Sequence, residues 1–153
     1  MKRALFLLFL CFSVPAHAES EAATMPPMVK NDLTIHTATD KIPFIVELAM
    51  TLQDQETGLM NRHELPAGQG MLFVMPKDRK VEMWMKDTYI PLDMFFIDSS
   101  GEIANIASNV PPLSLDTVIA ARPVHAVLEL PAGTAEKHGI QPGDRVSHPY
   151  FKP

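Results

Sequence analysis

Short apolar segments separated by turn residues recur along the chain between residues 33 and 148. Within such a segment, apolar residues alternate with residues that face the opposite way, as in a strand with one buried face. The clearest example contains Ile42, Phe44, Val46 and Leu48. Strands joined by short turns favour antiparallel pairing. The sequence therefore predicts a mainly β protein, a compact antiparallel β-barrel or sandwich with two short helices.

The two helices are predicted from their end signals. Thr51 is a typical N-cap residue, and residues 52–60 place apolar side chains on one helical face. Residues 131–138 fit a second helix, with Pro131 at its first position and Gly139 as its C-cap.

The start of the chain has the features of a cleavable signal peptide. Lys2 and Arg3 precede an apolar segment, residues 4–14, that is too short to span a bilayer comfortably. Ala16 and Ala18 supply the small residues of a signal-peptidase site, which we place after Ala18. We therefore expect a periplasmic or secreted protein without stable membrane insertion after cleavage.

The sequence divides into three parts. Residues 1–18 are the predicted signal peptide, and residues 19–31 lack periodicity and are predicted to form a flexible tether. Residues 32–153 are enough for one β-rich domain with a substantial core and too few for two.

Charge and cysteine content exclude several functions. Without the signal peptide the chain has 11 basic and 18 acidic residues, a net charge of −7. An acidic surface argues against nucleic acid or anionic lipid as a partner. The single cysteine, Cys11, lies in the signal peptide, which excludes disulfides, thiol catalysis and thiolate metal sites in the mature chain.

Residues 83–93 contain the only tryptophan of the chain within a dense set of polar residues. If residues 81–86 form a strand, Trp84 and Lys86 share one face. An indole beside an ammonium and a hydroxyl can stack on a planar ligand and hydrogen-bond its edge. We therefore predict a ligand-binding groove formed by Arg62, Trp84, Lys86, Thr88 and Asp93. The alternative is structural: Trp84 belongs to the core, Lys86 pairs with an aspartate and Thr88 caps a turn.

A second hypothesis is a hydrolase that uses Asp93 and Glu129 as a pair of carboxylates. Glu129 lies within an apolar run, where a carboxylate is either exposed to solvent or held by a partner. Arg62 is a natural partner for such a group, because a guanidinium binds a carboxylate in a bidentate manner. The alternative is a structural ion pair of Arg62 with Glu129 or Glu47. We expect a small-molecule or protein-binding module rather than an enzyme.

A third hypothesis is a periplasmic Cu(I)-binding protein. Met83 and Met85 flank the tryptophan, and His36 lies on a predicted strand. Thioethers and imidazole are soft ligands that suit Cu(I). The alternative is that the methionines fill gaps in a β core. The sequence predicts no cofactor.

Several runs of sequence resemble those of a known family. In chain order they are Gly58-Leu59-Met60-Asn61-Arg62, Leu65-Pro66, Gly70-Met71-Leu72-Phe73-Val74, then Trp84-Met85-Lys86-Asp87-Thr88 with Ile90-Pro91-Leu92-Asp93, then Leu128-Glu129-Leu130-Pro131-Ala132-Gly133, and Gly143-Asp144. Together they are similar to the domain-of-unknown-function 192 family, over roughly residues 33–146. The resemblance implies a compact β-rich domain, often of an exported bacterial or archaeal protein, and implies no established activity. The family usually has asparagine at the position of Asp87, so this chain adds a negative charge beside Lys86.

Overall fold

The computed structural model describes residues 28–151, which form a curled seven-stranded sheet, a two-stranded ribbon and two short helices. The sheet has the shape of a half-barrel, so the predicted mainly β fold is confirmed. The predicted signal peptide and residues 19–27 of the predicted tether lie outside the described residues. The first strand begins at Lys30, inside the segment predicted to be the tether.

Residues 28–151 contain nine strands and two helices, joined by turns and loops. The strands are β1 (Lys30–His36), β2 (Lys41–Ala49), β3 (Gln69–Arg79), β4 (Glu82–Met83), β5 (Leu92–Ile97), β6 (Ile103–Val110), β7 (Val118–Ile119), β8 (Val124–Pro131) and β9 (Arg145–Ser147). The helices are α1 (Leu52–Thr57) and α2 (Thr134–His138).

The strand order in the large sheet is β6-β5-β8-β3-β2-β1-β9. Neighbouring strands are antiparallel except β2 and β3, which are parallel. A parallel pair requires a crossover connection, and α1 with the loop after it supplies one. The two edges of the sheet meet at one end, where Glu102 bridges to Arg145 and the Ile103 N–H donates to the Asp144 carbonyl at 2.9 Å. This contact produces the half-barrel.

Two apolar clusters pack on opposite faces of the sheet. The inner cluster fills the half-barrel, and its largest fully buried side chains are Leu33, Ile35, Leu72, Phe95, Ile97, Ile103 and Leu128. The outer cluster is rich in methionine and includes Met71, Phe73, Met75, Met85, Met94 and Phe96. Because β3, β5 and β8 contribute to both clusters, successive residues of these strands are buried on opposite sides.

The outer cluster is covered by the segments on either side of β4 and β7. β4 pairs with β7, and backbone hydrogen bonds extend the contact from Met85 to Ser114 (2.9 Å) and from Leu113 to Thr88 (3.0 Å). The strand predicted over residues 81–86 is therefore shorter than expected, since its only ladder partner in the described chain is the two-residue β7.

Two of the four helix ends predicted from the sequence are confirmed. Thr51 caps α1 as predicted, because its hydroxyl accepts from the Asp54 N–H at 3.1 Å while the Asp54 carboxylate accepts from the Thr51 N–H. Gly139 ends α2 with a left-handed backbone, also as predicted. The extension of α1 to residue 60 is wrong, since the helix ends at Thr57. The start of α2 at Pro131 is also wrong.

Pro131 still belongs to β8, where it pairs with Leu92 of β5, and Gly133 takes the N-cap position of α2. Among residues 28–151, no helix has the length and apolar character needed to cross a membrane.

Candidate ligand-binding cleft

A cleft of about 530 Å³ opens on the outer face of the sheet. One wall is formed by α1 and the residues that follow it, and the other by β4 and the residues after β4. The residues that line the cleft are Leu52, Gln55, Glu56, Thr57, Gly58, Leu59, Met60, Phe73, Met75, Arg79, Val81, Glu82, Met83, Trp84, Lys86, Thr88 and Glu129.

Gly58 allows the α1 wall to approach the sheet closely. Its φ of +46° ends the helix, and a Cβ at this position would lie 3.0 Å from the ring of Phe73. A larger residue would be strained by its backbone conformation and would displace the aromatic floor of the cleft. The first family-like run, which begins at Gly58, therefore has a steric role in the shape of the cleft.

The opposite wall contains three of the five predicted ligand-binding residues. Trp84 is 58% exposed and lies at the edge of the cleft, and Lys86 is exposed beside it. Lys86 forms no ion pair with any residue in the described part of the chain. Thr88 is buried, and its hydroxyl donates to the Lys86 carbonyl at 3.2 Å, so it also stabilises the turn.

Glu129 lies on the floor of the cleft. In the register of β8, it is opposite Met71 of β3 and Met94 of β5, so its side chain lies on the outer face with theirs. Only 4% of Glu129 is exposed, and between residues 28 and 151 its carboxyl group has no hydrogen-bond or ion-pair partner. Burial raises the pKa of Glu129 to about 8, so the carboxyl is mostly protonated at neutral pH.

Gly70 fixes the position of the strand that carries Glu129. A Cβ on Gly70 would lie 2.5 Å from the Glu129 carbonyl oxygen and 2.5 Å from the Leu130 side chain. Only glycine allows β3 to approach β8 this closely.

Asp93 does not lie in the cleft. It is opposite Leu130 in the register of β5 and β8, so its side chain points to the inner face of the sheet, away from that of Glu129. It is fully buried, and its two carboxylate oxygens accept hydrogen bonds from the Asn109 and Ala135 N–H groups, each at 2.8 Å. Asp93 and Glu129 therefore do not form the carboxylate pair that the hydrolase hypothesis requires.

Arg62 also lies outside the cleft lining. Its guanidinium donates to both carboxylate oxygens of Glu47, at 2.9 Å and 2.6 Å. These hydrogen bonds lower the pKa of Glu47, and they raise the pKa of Arg62. The pair joins β2 to the loop after α1, which agrees with the structural alternative predicted for Arg62.

The three residues proposed to bind copper do not share one site. Met83 lines the cleft, whereas Met85 is fully buried in the outer cluster. His36 is on β1, and its Nε2 lies 2.9 Å from the Ser147 hydroxyl of β9. Within residues 28–151, no three histidine, aspartate or glutamate side chains are grouped in a way that could hold a metal ion.

The sequence did not indicate several residues of the cleft. Met60, Phe73 and Met75 resemble ordinary core residues in the sequence, and Arg79 lies within a run of charged residues, 77–80. The family-like runs that contain Met60 and Phe73 were the available signal. That both residues line one cleft depends on how closely α1 approaches β3, which no local pattern encodes.

Comparison with known proteins identifies the family of this domain. A model of the DUF192 family, described as "Uncharacterized ACR", matches residues 34–148. The chain belongs to this family. The family-like run that begins at Gly58 provides residues of one wall of the cleft, and the run that begins at Trp84 provides residues of the other wall. The run that begins at Leu128 provides Glu129. Several family-like runs of this DUF192 sequence thus contribute residues to the cleft.

Solved structures agree with this assignment. A protein from Sinorhizobium meliloti 1021, named as a candidate transcription regulator, is 40% identical with a TM-score of 0.81, and the match covers 84% of this chain and 100% of that one. A protein of unknown function from Novosphingobium aromaticivorans DSM 12444 is 36% identical with a TM-score of 0.77, over 79% of this chain and 86% of that one. A search of curated proteins found no match.

Proposed function

We propose that this DUF192 domain binds a small organic molecule in the cleft on the outer face of its sheet. One observation carries the proposal: Glu129 faces the cleft as a buried carboxyl group without a partner in residues 28–151. Buried polar groups in folded proteins are nearly always hydrogen-bonded, and an unpaired one is costly. A ligand that reaches the cleft floor would supply the missing partner.

The rest of the lining suits a ligand with an apolar body. Trp84 can stack on a planar group at the edge of the cleft. Met60, Met75 and Met83 line the cleft with flexible, polarisable side chains that adapt to different shapes. A volume of about 530 Å³ lies within the range of small-molecule pockets.

Two other functions receive less support. Hydrolysis by a carboxylate pair lacks its second carboxylate, because Asp93 lies on the opposite face of the sheet from Glu129. The Sinorhizobium meliloti relative is named as a candidate transcription regulator. For this chain a role that requires direct contact with DNA is opposed by its net charge of −5.

We also propose that the protein is exported and that the domain acts outside the cytoplasm. Lys2, Arg3, the apolar residues 4–14 and the alanines at 16 and 18 support this. Mass spectrometry of the N-terminal peptide tests it. We expect the protein recovered from the periplasm or medium to begin at Glu19. An intact N-terminus in a cytoplasmic protein would reject export.

Binding is tested by thermal shift of the purified protein against sugars, organic acids, amines and Cu(I). A ligand that binds only the folded protein raises its melting temperature. We expect at least one organic compound to raise it, and we expect Trp84 fluorescence to change with the same compound. If no compound in the library has either effect, the proposed function is wrong.

Trp84→Ala locates the binding site. Loss of a stacking aromatic costs about 1 kcal/mol, which weakens binding by about fivefold. Leu115→Ala is the control, because Leu115 is also a large exposed apolar side chain but does not line the cleft. Equal affinity in both variants would place the ligand elsewhere.

A further inference from the structure

The chemical group that Glu129 can recognise is limited by its surroundings. The residues opposite it on the neighbouring strands are Met71 and Met94, which provide no hydrogen-bond donor. The indole and thioethers of the lining are also neutral. A carboxylate on this floor would be a buried negative charge, and proteins pair such charges with a cation.

The positively charged side chains of the cleft lining do not pair with Glu129. The charged residues of the lining are Glu56 on α1, Arg79 on β3, Glu82 on β4, and Lys86 after β4. The Arg79 guanidinium donates to the Met75 sulfur at 3.3 Å, and neither Arg79 nor Lys86 pairs with Glu129. The only cause of the raised pKa of Glu129 is burial, without an opposing contribution from a positive charge. The described chain thus supplies no cation that could pair with Glu129 in its ionised form.

We propose that the ligand is an organic ammonium ion with an apolar or aromatic body, and that the carboxylate of Glu129 is its counter-ion. This inference rests on the proposed function. An ammonium group would form a charge-assisted hydrogen bond with Glu129 on the cleft floor. The body of the ligand would contact the methionines and the Trp84 indole, and a cation near that indole gains a further attraction.

An organic cation fits this floor better than a metal ion. Divalent metals require several oxygen or nitrogen ligands, and Glu129 is the only buried carboxyl group of the lining. A bare metal ion would also make no contact with the apolar side chains that surround Glu129, whereas the body of an organic cation would. A neutral ligand would be recognised equally well by an uncharged amide at position 129, whereas an organic cation would not. The substitution Glu129→Gln therefore distinguishes a neutral ligand from a cation.

Binding of an ammonium ion would change the protonation of Glu129. The free carboxyl group is mostly protonated at neutral pH, whereas the bound form is ionised beside the cation. The proton leaves to solvent, so each binding event releases close to one proton at neutral pH. Affinity would therefore rise with pH up to the pKa of free Glu129 and change little above it, until the amine itself loses its proton.

The experiment compares compounds that share a body and differ in charge. Isothermal titration calorimetry is performed on the purified full-length protein with phenylethylamine, phenylethanol and phenylpropionate, and with hexylamine and hexanol. Titration in two buffers of different ionisation enthalpy measures proton release. We expect an amine to bind at least about tenfold more tightly than the matching alcohol or acid, with release of close to one proton.

Two glutamine variants assign the effect to one carboxyl group. Glu129→Gln should weaken amine binding at least about tenfold and abolish proton release. Glu136→Gln is the control, since it removes an exposed carboxylate that does not line the cleft, and it should bind as the wild type does. The proton count in the wild type tests the inference even if Glu129→Gln folds poorly.

Three results would overturn the inference: binding of the alcohol as tightly as the amine, unchanged amine affinity in Glu129→Gln, or no binding of either amine. In each case the proposed function survives if the thermal-shift library yields another ligand whose affinity falls in Trp84→Ala. It fails only if no compound occupies the cleft.

Discussion

The backbone N–H of Asn61 donates a hydrogen bond to the backbone carbonyl of Asp87 at 2.8 Å, and both residues have left-handed backbones, with φ of +61° and +52°. The bond joins the loop after α1 to the turn after β4, the two segments that carry the walls of the cleft. Beside it, the His63 and Tyr89 rings stack with centroids 4.8 Å apart. The width of the cleft is therefore set by contacts between the two walls.

This geometry explains the residue type at position 87. Asparagine and aspartate adopt the left-handed conformation more readily than other L-residues except glycine. Asp87 forms no ion pair with Lys86 among residues 28–151. The aspartate of this chain thus meets the backbone requirement that an asparagine would also meet, and it leaves Lys86 without an ion-pair partner among the described residues.

Substitutions at Asp87 should follow backbone preference. We expect Asp87→Asn to change the free energy of unfolding by less than about 0.5 kcal/mol, and Asp87→Ala to lower it by about 1 to 2 kcal/mol. Urea denaturation of the three proteins measures both. Equal stability of the alanine variant would show that the left-handed conformation is not required.

Substitutions at Asp93 should affect folding rather than binding. Asp93→Ala leaves the buried Ala135 N–H and the partly buried Asn109 N–H without their acceptor, so we expect a loss of about 2 kcal/mol in the free energy of unfolding. Chemical denaturation gives the stability, and calorimetry gives ligand affinity for the protein that remains folded. An unchanged unfolding free energy, or a lost affinity in a stable variant, would contradict this role.

Glu129 should make the protein less stable as pH rises. Its pKa is raised from 4.5 to about 8 in the folded state, so the folded state binds more protons than the unfolded state between these values. The stabilisation from protonated Glu129 is complete below about pH 4.5 and is lost as pH rises to about 8. The slope should reach about −1.4 kcal/mol per pH unit within that window.

Glu129→Gln should remove this slope. Urea denaturation of both proteins across the window measures the difference between their unfolding free energies, which cancels the titration of other groups. We expect the variant to gain stability relative to the wild type as pH increases. A constant difference would mean that Glu129 titrates near its ordinary value.

The Arg62–Glu47 pair should stabilise the domain modestly. Both side chains are partly exposed, so we expect a coupling free energy of about 1 kcal/mol in a double-mutant cycle with Arg62→Met and Glu47→Gln. Because Arg62 lowers the pKa of Glu47, this contribution should be lost as pH falls below 4.5. Arg62→Lys should recover only part of the coupling, since an ammonium cannot bind both oxygens in parallel. A coupling near zero at neutral pH would contradict the bidentate geometry.

Local patterns in the sequence predicted most of the fold. The alternation of Ile42, Phe44, Val46 and Leu48 corresponds to β2, whose alternate residues are buried. Thr51 and Gly139 cap helices because capping depends on a few neighbouring residues. Trp84 and Lys86 are exposed on either side of buried Met85, although the strand itself stops at Met83.

The division of polar residues between the two faces could not be predicted. Asp93 and Glu129 are separated by the register of β5 on β8, which depends on strand pairing far apart in the sequence. Arg62 could have paired with either Glu47 or Glu129, and the loop after α1 places it beside Glu47. Trp84 and Glu129 belong to one cleft only because the outer face of the sheet brings their segments together.

The two-sided burial of β3, β5 and β8 has an evolutionary consequence. On β3, Phe73 and Met75 line the cleft while Leu72 and Val74 pack inside the half-barrel. Substitutions at alternate positions can therefore alter what the cleft accepts without disturbing the inner core. Under the proposed function, an exchange of the outer layer of side chains would change ligand preference, while the inner layer would preserve the ability to fold.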